Sequence, residues 1–104
     1  MTYKLLFVCL GNICRSPSAE NIMKHLIEQK GLSNQIICDS AGTCSDHIGE
    51  SPDERMTATA IEKLGIFLSG NSRQFHTLDF KNFDLILAMD RQNYKDILLL
   101  DTAK

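Results

Sequence analysis

The sequence predicts an α/β fold in which helices cover both faces of a doubly wound parallel sheet, giving three layers. Short apolar runs alternate with segments whose apolar residues recur at helical spacing. Glycine, proline and polar capping residues separate these segments where helices begin and end. Because strands joined through helices pair in parallel with right-handed crossovers, this alternation predicts a parallel sheet within a single domain over residues 1–104.

The first predicted strand, Lys4–Val8, leads through a loop into the first predicted helix. Ser16 is expected to be the N-cap of this helix, with Pro17 at its first position. Gly31 is expected to end it. The buried face is predicted from apolar residues at helical spacing, which are Ala19, Ile22, Met23, Leu26 and Ile27.

The second predicted strand, Gln35–Cys38, is followed by a turn-rich segment over residues 39–43. Ser51 and Glu54 have the spacing of a capping box, which predicts a second helix that ends at Gly65.

The third predicted strand, Asp84–Met89, follows a short helical turn over residues 77–80. Asp90 is expected to cap a last helix that runs through Leu100 and buries Tyr94, Ile97 and Leu98. A sheet of only three strands is expected to have an exposed edge.

The run Val-Cys-Leu-Gly-Asn-Ile-Cys-Arg-Ser-Pro, over residues 8–17, joins the first strand to the first helix. A loop of this length can point its backbone N–H groups inward as an anion-binding nest, and the helix N-terminus adds positive field. That field favours a Cys9 thiolate, which is the nucleophilic form. Arg15 can hold two oxygens of a phosphate with its planar guanidinium group. Cys9 and Arg15 are therefore the predicted catalytic residues.

The remaining loop residues are predicted to bind phosphate or to support the loop. Gly11 and Asn12 tolerate unusual backbone angles, and the Ser16 hydroxyl can donate a hydrogen bond toward the Cys9 sulfur. The predicted set is Leu10, Gly11, Asn12, Ile13, Cys14 and Ser16.

Composition narrows the choice of partners. A formal charge of −2 and a pI near 5.8 indicate no excess of positive charge of the kind that binds nucleic acid or an anionic membrane. The four cysteines lack zinc-ligand spacing, and their placement disfavours a disulfide framework. We therefore expect a cytoplasmic protein with no metal and no cofactor.

Taken together, these motifs resemble the low-molecular-weight protein tyrosine phosphatase family. The resemblance is carried by Val8–Pro17, Asp39–Thr43, Pro52–Arg55, Arg73–Gln74 and Asp84–Asp90 with Asn93. It implies a phosphatase that acts on phosphotyrosine-containing proteins through a phosphocysteine intermediate and binds phosphate or similar oxyanions.

The resemblance also implies roles for single residues. Cys9 would attack phosphorus, and Arg15 would bind the phosphoryl oxygens. Asn12 and Ser16 would hold the loop and stabilise the thiolate. Cys14 would form a reversible disulfide with Cys9, although a spare thiol is an equal alternative for Cys14.

The chain departs from the family pattern in three ways. Family members are longer, so we expect a truncated chain without the C-terminal strand, the final helix and the general-acid Asp that the family supplies there. The segment over residues 44–47 has no aromatic residue where many members place one beside the substrate ring. Gly70 stands where some members have a histidine that supports the loop.

Three other functions stay open. A thioredoxin-coupled arsenate reductase resembles this loop but needs a later cysteine pair, and no cysteine follows Cys44. Phosphoarginine phosphatases resemble it too, but have Thr at the position of Ile13. A catalytically weak phosphate-binding module is the third alternative.

Two expectations concern residues outside the loop. Asp90 is expected to serve the scaffold as a helix cap rather than the site. The histidines lack the spacing for a metal site or a triad and are expected to be surface residues: His25, His47 and His76.

Overall fold

A computed structural model describes residues 2–101 as three strands and four helices; Met1 and residues 102–104 of the predicted domain lie outside this range. The elements are, in chain order, β1 (Tyr3–Cys9), α1 (Arg15–Gln29), β2 (Ile36–Gly42), α2 (Glu54–Leu64), α3 (Asp79–Asn82), β3 (Leu85–Ala88) and α4 (Arg91–Leu100).

The strands form one parallel sheet in the order β2-β1-β3, which confirms the predicted fold class. The central strand β1 is the most apolar, because successive side chains point to opposite faces and both faces are covered. Leu6 and Val8 belong to the core cluster that includes Ile97 of α4. Leu5 and Phe7 pack with Ile27 of α1 in the other cluster. The two helices therefore cover opposite faces and create three layers.

The start of α1 differs from the prediction. The helix begins at Arg15, and its N-cap, Cys14, makes no side-chain capping bond. Ser16 lies inside the helix, where its fully buried hydroxyl contacts Cys9 Sγ instead of capping the backbone. A buried hydroxyl needs a partner, and the loop supplies one. Gly31, at φ +69°, follows the end of the helix as predicted.

The capping box predicted for α2 is wrong. Asp53 is the N-cap, and its carboxylate accepts a hydrogen bond from Met56 N–H at 3.1 Å. The N–H of Asp53 donates to Ile13 O at 2.7 Å, so tertiary contact with the loop decides where α2 begins. Gly65, at φ +67°, ends α2 as predicted.

Strand β2 is longer at its carboxyl end than predicted. Residues 39–42 pair in parallel with Leu6–Cys9 of β1 instead of forming a turn. The sequence does not indicate a strand here, because these residues are polar or small and form no apolar run. Ser40 is nevertheless buried beneath the loop.

Asp90 caps α4 as predicted, accepting from Asn93 N–H at 2.8 Å. The predicted buried face is only partly correct, because Ile97 is buried whereas Tyr94 and Leu98 are exposed. The short helix α3 begins two residues later than predicted. Within residues 2–101, no helix has the length and apolar character needed to cross a bilayer.

Substitution of Leu6 tests directly whether β1 lies at the centre of the described core. Leu6 is 0% exposed in β1, whereas Leu99 in α4 is 82% exposed. We expect Leu6→Ala to lower the free energy of unfolding by about 2–5 kcal/mol, because it removes buried methyl groups and leaves a cavity. The matched Leu99→Ala variant should change it by less than about 0.5 kcal/mol. Urea denaturation measures both, and equal effects would contradict the described core.

Candidate active site

The loop over residues 9–15 lies at the carboxyl ends of β1 and β2, where open α/β sheets bind ligands. Two backbone hydrogen bonds hold the segment after β2 against it. Thr43 N–H donates to Cys9 O at 2.9 Å, and Cys44 N–H donates to Leu10 O at 3.0 Å. The first turn of α1 follows the loop directly, so its N-terminal field acts on the same region.

Cys9 is 3% exposed at the end of β1, and two groups hold its sulfur. The N–H of Asn12 donates to Cys9 Sγ at 3.3 Å, and Ser16 Oγ lies 3.0 Å from the sulfur. Asn12 Nδ2 donates to Ser16 Oγ at 2.8 Å, so the Ser16 hydroxyl proton points away from Asn12, where Cys9 Sγ at 3.0 Å is a nearer acceptor than Ala41 O at 3.4 Å. Both contacts can therefore stabilise a thiolate.

Asn12 organises the loop from beneath. It is the one non-glycine residue with a positive φ (57°) within residues 2–101. Its Nδ2 also donates to Ser40 Oγ at 2.9 Å, and its Oδ1 accepts from Arg73 N–H at 3.0 Å. The left-handed backbone is unfavourable for an L-residue, and these side-chain bonds hold it in place.

The polar network continues away from the sulfur to a buried carboxylate. Ser40 Oγ donates to Glu20 Oε1, and Lys24 Nζ pairs with the other oxygen of Glu20. Sequence reasoning missed this part of the site. The available signal was the i,i+4 spacing of Glu20 and Lys24 on α1, which indicates an ion pair but not its position under the loop.

Arg73 fixes the side of the network that faces β2. Its backbone oxygen accepts from Gly42 N–H at 2.8 Å, and its side chain bonds Asp39 and Asp79. Burial acts to lower the pKa of Arg73, but the two carboxylates outweigh it, so that its pKa is raised. The guanidinium group therefore remains charged and holds three chain segments together.

Gly42 allows the loop to lie directly against the end of β2. A Cβ atom at this position would lie 2.8 Å from Leu10 O and 3.1 Å from Asn12 N. These are backbone atoms of the loop, which cannot move aside as a flexible side chain can. Only glycine therefore permits the loop and the strand to approach this closely.

Arg15 lies at the start of α1 and pairs with Asp90, with 2.7 Å between Arg15 NH1 and Asp90 Oδ2. The hydrogen bonds from the Asn93 backbone and from Arg15 lower the pKa of the Asp90 carboxyl. The hydrogen bond to Asp90 likewise raises the pKa of Arg15. The expectation that Asp90 only caps a helix is therefore incomplete, because its second oxygen holds Arg15.

A pocket of about 290 Å³ opens above the loop. It brings together most of the predicted site residues, whereas Asn12 and Ser16 are buried beneath them. Three lining residues come from the segment after β2 and were not predicted. The full lining is Cys9, Leu10, Gly11, Ile13, Cys14, Arg15, Cys44, Asp46 and His47.

His47 lies at the surface as predicted, but it also makes contacts that the sequence does not indicate. It is partly buried, and its Nδ1 lies 2.8 Å from Glu50 Oε2. A Cβ atom on Gly11 would lie 2.9 Å from His47 Cδ2, so the ring packs on the loop backbone. No periodic pattern in the sequence indicates this contact.

Cys14 lies in the same pocket as Cys9, and all four cysteines are free. Burial raises the pKa of the Cys14 thiol, and the Asp53 carboxylate adds to this effect. The reversible disulfide with Cys9 stays a prediction.

Gly70 lines a polar cavity of about 70 Å³ beneath the loop, together with Asn12, Glu20 and Ser40. The loop is held there without a side chain at residue 70, because Asn12 Nδ2 donates to Ser40 Oγ, which in turn donates to Glu20.

The model of the family described as low molecular weight phosphotyrosine protein phosphatase matches residues 4–104. A Synechocystis sp. protein that is provisionally described as a low molecular weight protein-tyrosine-phosphatase is 61% identical over 100 residues. The match covers 96% of this chain and 63% of that protein. The low molecular weight phosphotyrosine protein phosphatase of Schizosaccharomyces pombe is 46% identical over 95 residues, or 90% of this chain and 60% of that protein.

Among solved structures, the protein tyrosine phosphatase from Entamoeba histolytica, crystallised with Hepes in its active site, superposes with a TM-score of 0.93. It is 49% identical, and the match covers 98% of this chain and 65% of that one. The chain thus spans slightly less than two thirds of the length of these three relatives.

Two substitutions of Asn12 separate the effect of backbone strain on stability from the effect of its side-chain hydrogen bonds. Asn12→Gly and Asn12→Ala remove the same side-chain bonds, but only alanine is strained at φ 57°. We expect the alanine variant to be less stable than the glycine variant by about 1 kcal/mol in urea denaturation. The same pair of changes at Asn34, which has no positive φ, should not favour glycine. Equal stability of the two Asn12 variants would contradict the strained backbone.

Proposed function

Because the chain belongs to the low-molecular-weight phosphotyrosine protein phosphatase family, we propose that the protein hydrolyses phosphotyrosine in proteins through a phosphocysteine on Cys9. The observation that carries this proposal is the setting of the Cys9 sulfur. It lies 3.0 Å from Ser16 Oγ and 3.3 Å from Asn12 N, and it shares a pocket with Arg15.

In the first step, the Cys9 thiolate attacks phosphorus. The S–P bond forms, the bond from phosphorus to the phenolic oxygen breaks, and that oxygen departs with the electron pair. In the second step, water attacks the phosphocysteine, which releases phosphate and restores the thiolate. The protons of this water balance the reaction, since one ends on the phenol and the other on phosphate.

Arg15 and the loop amides stabilise the charge that develops on the phosphoryl oxygens. Arginine has five N–H donors, and in this structure NH1 is bonded to Asp90. The remaining donors are available for two phosphoryl oxygens. Asp90 is therefore a positioning residue that turns the guanidinium group while it also caps α4.

The loop residues and the pocket lining support phosphotyrosine as the substrate. Ile13 contributes an apolar surface beside Cys9, whereas the phosphoarginine phosphatases that resemble this loop have Thr at this position. Phosphate and similar oxyanions are the expected competitive ligands. The four free cysteines suit a reducing compartment, which supports a cytoplasmic location as part of this proposal.

The test of this function is turnover of nitrophenyl phosphate by the full-length protein. We expect Cys9→Ser to reduce kcat at least about a thousandfold, because a neutral hydroxyl is a far weaker nucleophile than a thiolate. Cys38→Ala removes a buried thiol outside the pocket and is the matched control, with kcat within about twofold of wild type. Activity that survives Cys9→Ser would overturn the proposal.

The pH dependence of alkylation gives a second test. We expect iodoacetate to modify Cys9 first at mildly acidic pH, and phosphate, but not chloride at equal ionic strength, to protect it. Because its pKa is raised, Cys14 holds little thiolate at neutral pH. Its labelling rate should rise about tenfold per pH unit until the pH passes that pKa. Mass mapping of tryptic peptides measures both sites, and equal rates at all four cysteines would contradict the assignment.

A further inference from the structure

The segment that follows β2 places a carboxylate in the wall of the pocket that holds Cys9. Asp46 lines this pocket of about 290 Å³ together with Cys9 and Arg15. The segment is attached at both ends, because Cys44 N–H donates to Leu10 O and Gly49 N–H donates to Ser72 O at 2.8 Å. Asp46 therefore belongs to a short segment that is held at one end by the loop over residues 9–15 and at the other end by Ser72.

The charge of Asp46 is uncompensated within residues 2–101. Its exposed carboxylate makes no hydrogen bond or ion pair there. Arg15, the arginine among the residues that line this pocket, pairs with Asp90, and the neighbouring His47 ring contacts Glu50 rather than Asp46. When a phosphoryl group occupies the loop, Arg15 is shared between that group and Asp90. Asp46 then remains a free negative charge beside a bound anion.

A free carboxylate in the wall of an anion-binding pocket disfavours a phosphorylated ligand unless the ligand brings a positive charge of its own. We propose that Asp46 makes the pocket selective for phosphotyrosine that is flanked by a basic side chain. This inference rests on the proposed phosphatase function and adds the class of substrate. Lysine or arginine next to the phosphotyrosine would meet Asp46 at the pocket wall, whereas an acidic neighbour would be repelled.

The test compares kcat/KM for three phosphotyrosine peptides that differ only in the two flanking residues, which are lysine, glutamine or glutamate. For the full-length protein we expect the lysine peptide to exceed the glutamate peptide by about three- to tenfold at low salt, since exposed charge pairs are individually weak. The ratio should fall as salt is raised. Asp46→Asn should bring the ratio near one, whereas Glu62→Gln, an equal change of charge on exposed α2, should leave it intact.

Using the ratio separates selectivity from any change in overall rate. A wild-type ratio near one, or a preference that persists in Asp46→Asn, would overturn the inference while leaving the phosphatase function standing. Equal slowing of all three peptides by Asp46→Asn, with the ratio unchanged, would assign Asp46 to the chemical step and also overturn it. If the wild-type protein hydrolyses none of the peptides and no nitrophenyl phosphate, the proposed function and this inference fail together.

Discussion

The conformation of the loop over residues 9–15 depends on the side chain of Asn12. Its left-handed backbone turns the loop so that the Asn12 N–H reaches the Cys9 sulfur, and its amide group bonds Ser16, Ser40 and Arg73. The strain of one residue is therefore offset by bonds to α1, β2 and the segment before α3. Because these partners lie far apart in the chain, the loop has this shape only when the sheet is assembled.

A fully bonded polar network lies under the loop in place of an apolar core. Ser16, Ser40 and Glu20 are buried, and each finds a partner within the network. Such a network costs conformational freedom but fixes one arrangement, since a missing member would leave a buried group unsatisfied. The hydrogen bonds that stabilise the domain therefore also position Asn12 and Ser16, which contact the sulfur of the candidate nucleophile Cys9.

Three carboxyl ends of the sheet meet around the pocket. Strand β1 provides Cys9 and the segment after β2 provides Asp46 and His47 as lining residues, whereas the turn after β3 provides Asp90, which pairs with the lining residue Arg15. Parallel strands bring these ends to one edge, so residues that are separated by more than half of the chain meet around Arg15. The charges in this arrangement oppose each other, because the proposed role of the loop is to bind an anion whereas Asp46 places a carboxylate in the pocket wall.

The sequence by itself determined the parallel α/β class, the loop that joins β1 to α1, and the glycines that end α1 and α2, because these depend on local spacing and backbone freedom. Only the tertiary structure decided that Ser16 lies within α1 rather than at its N-cap and that Asp53 caps α2. It also decided that Asp90 holds Arg15 and that His47 packs on Gly11. Local patterns cannot show which partner a polar side chain prefers when a distant segment offers a buried one, since that choice depends on burial and contact across the sheet.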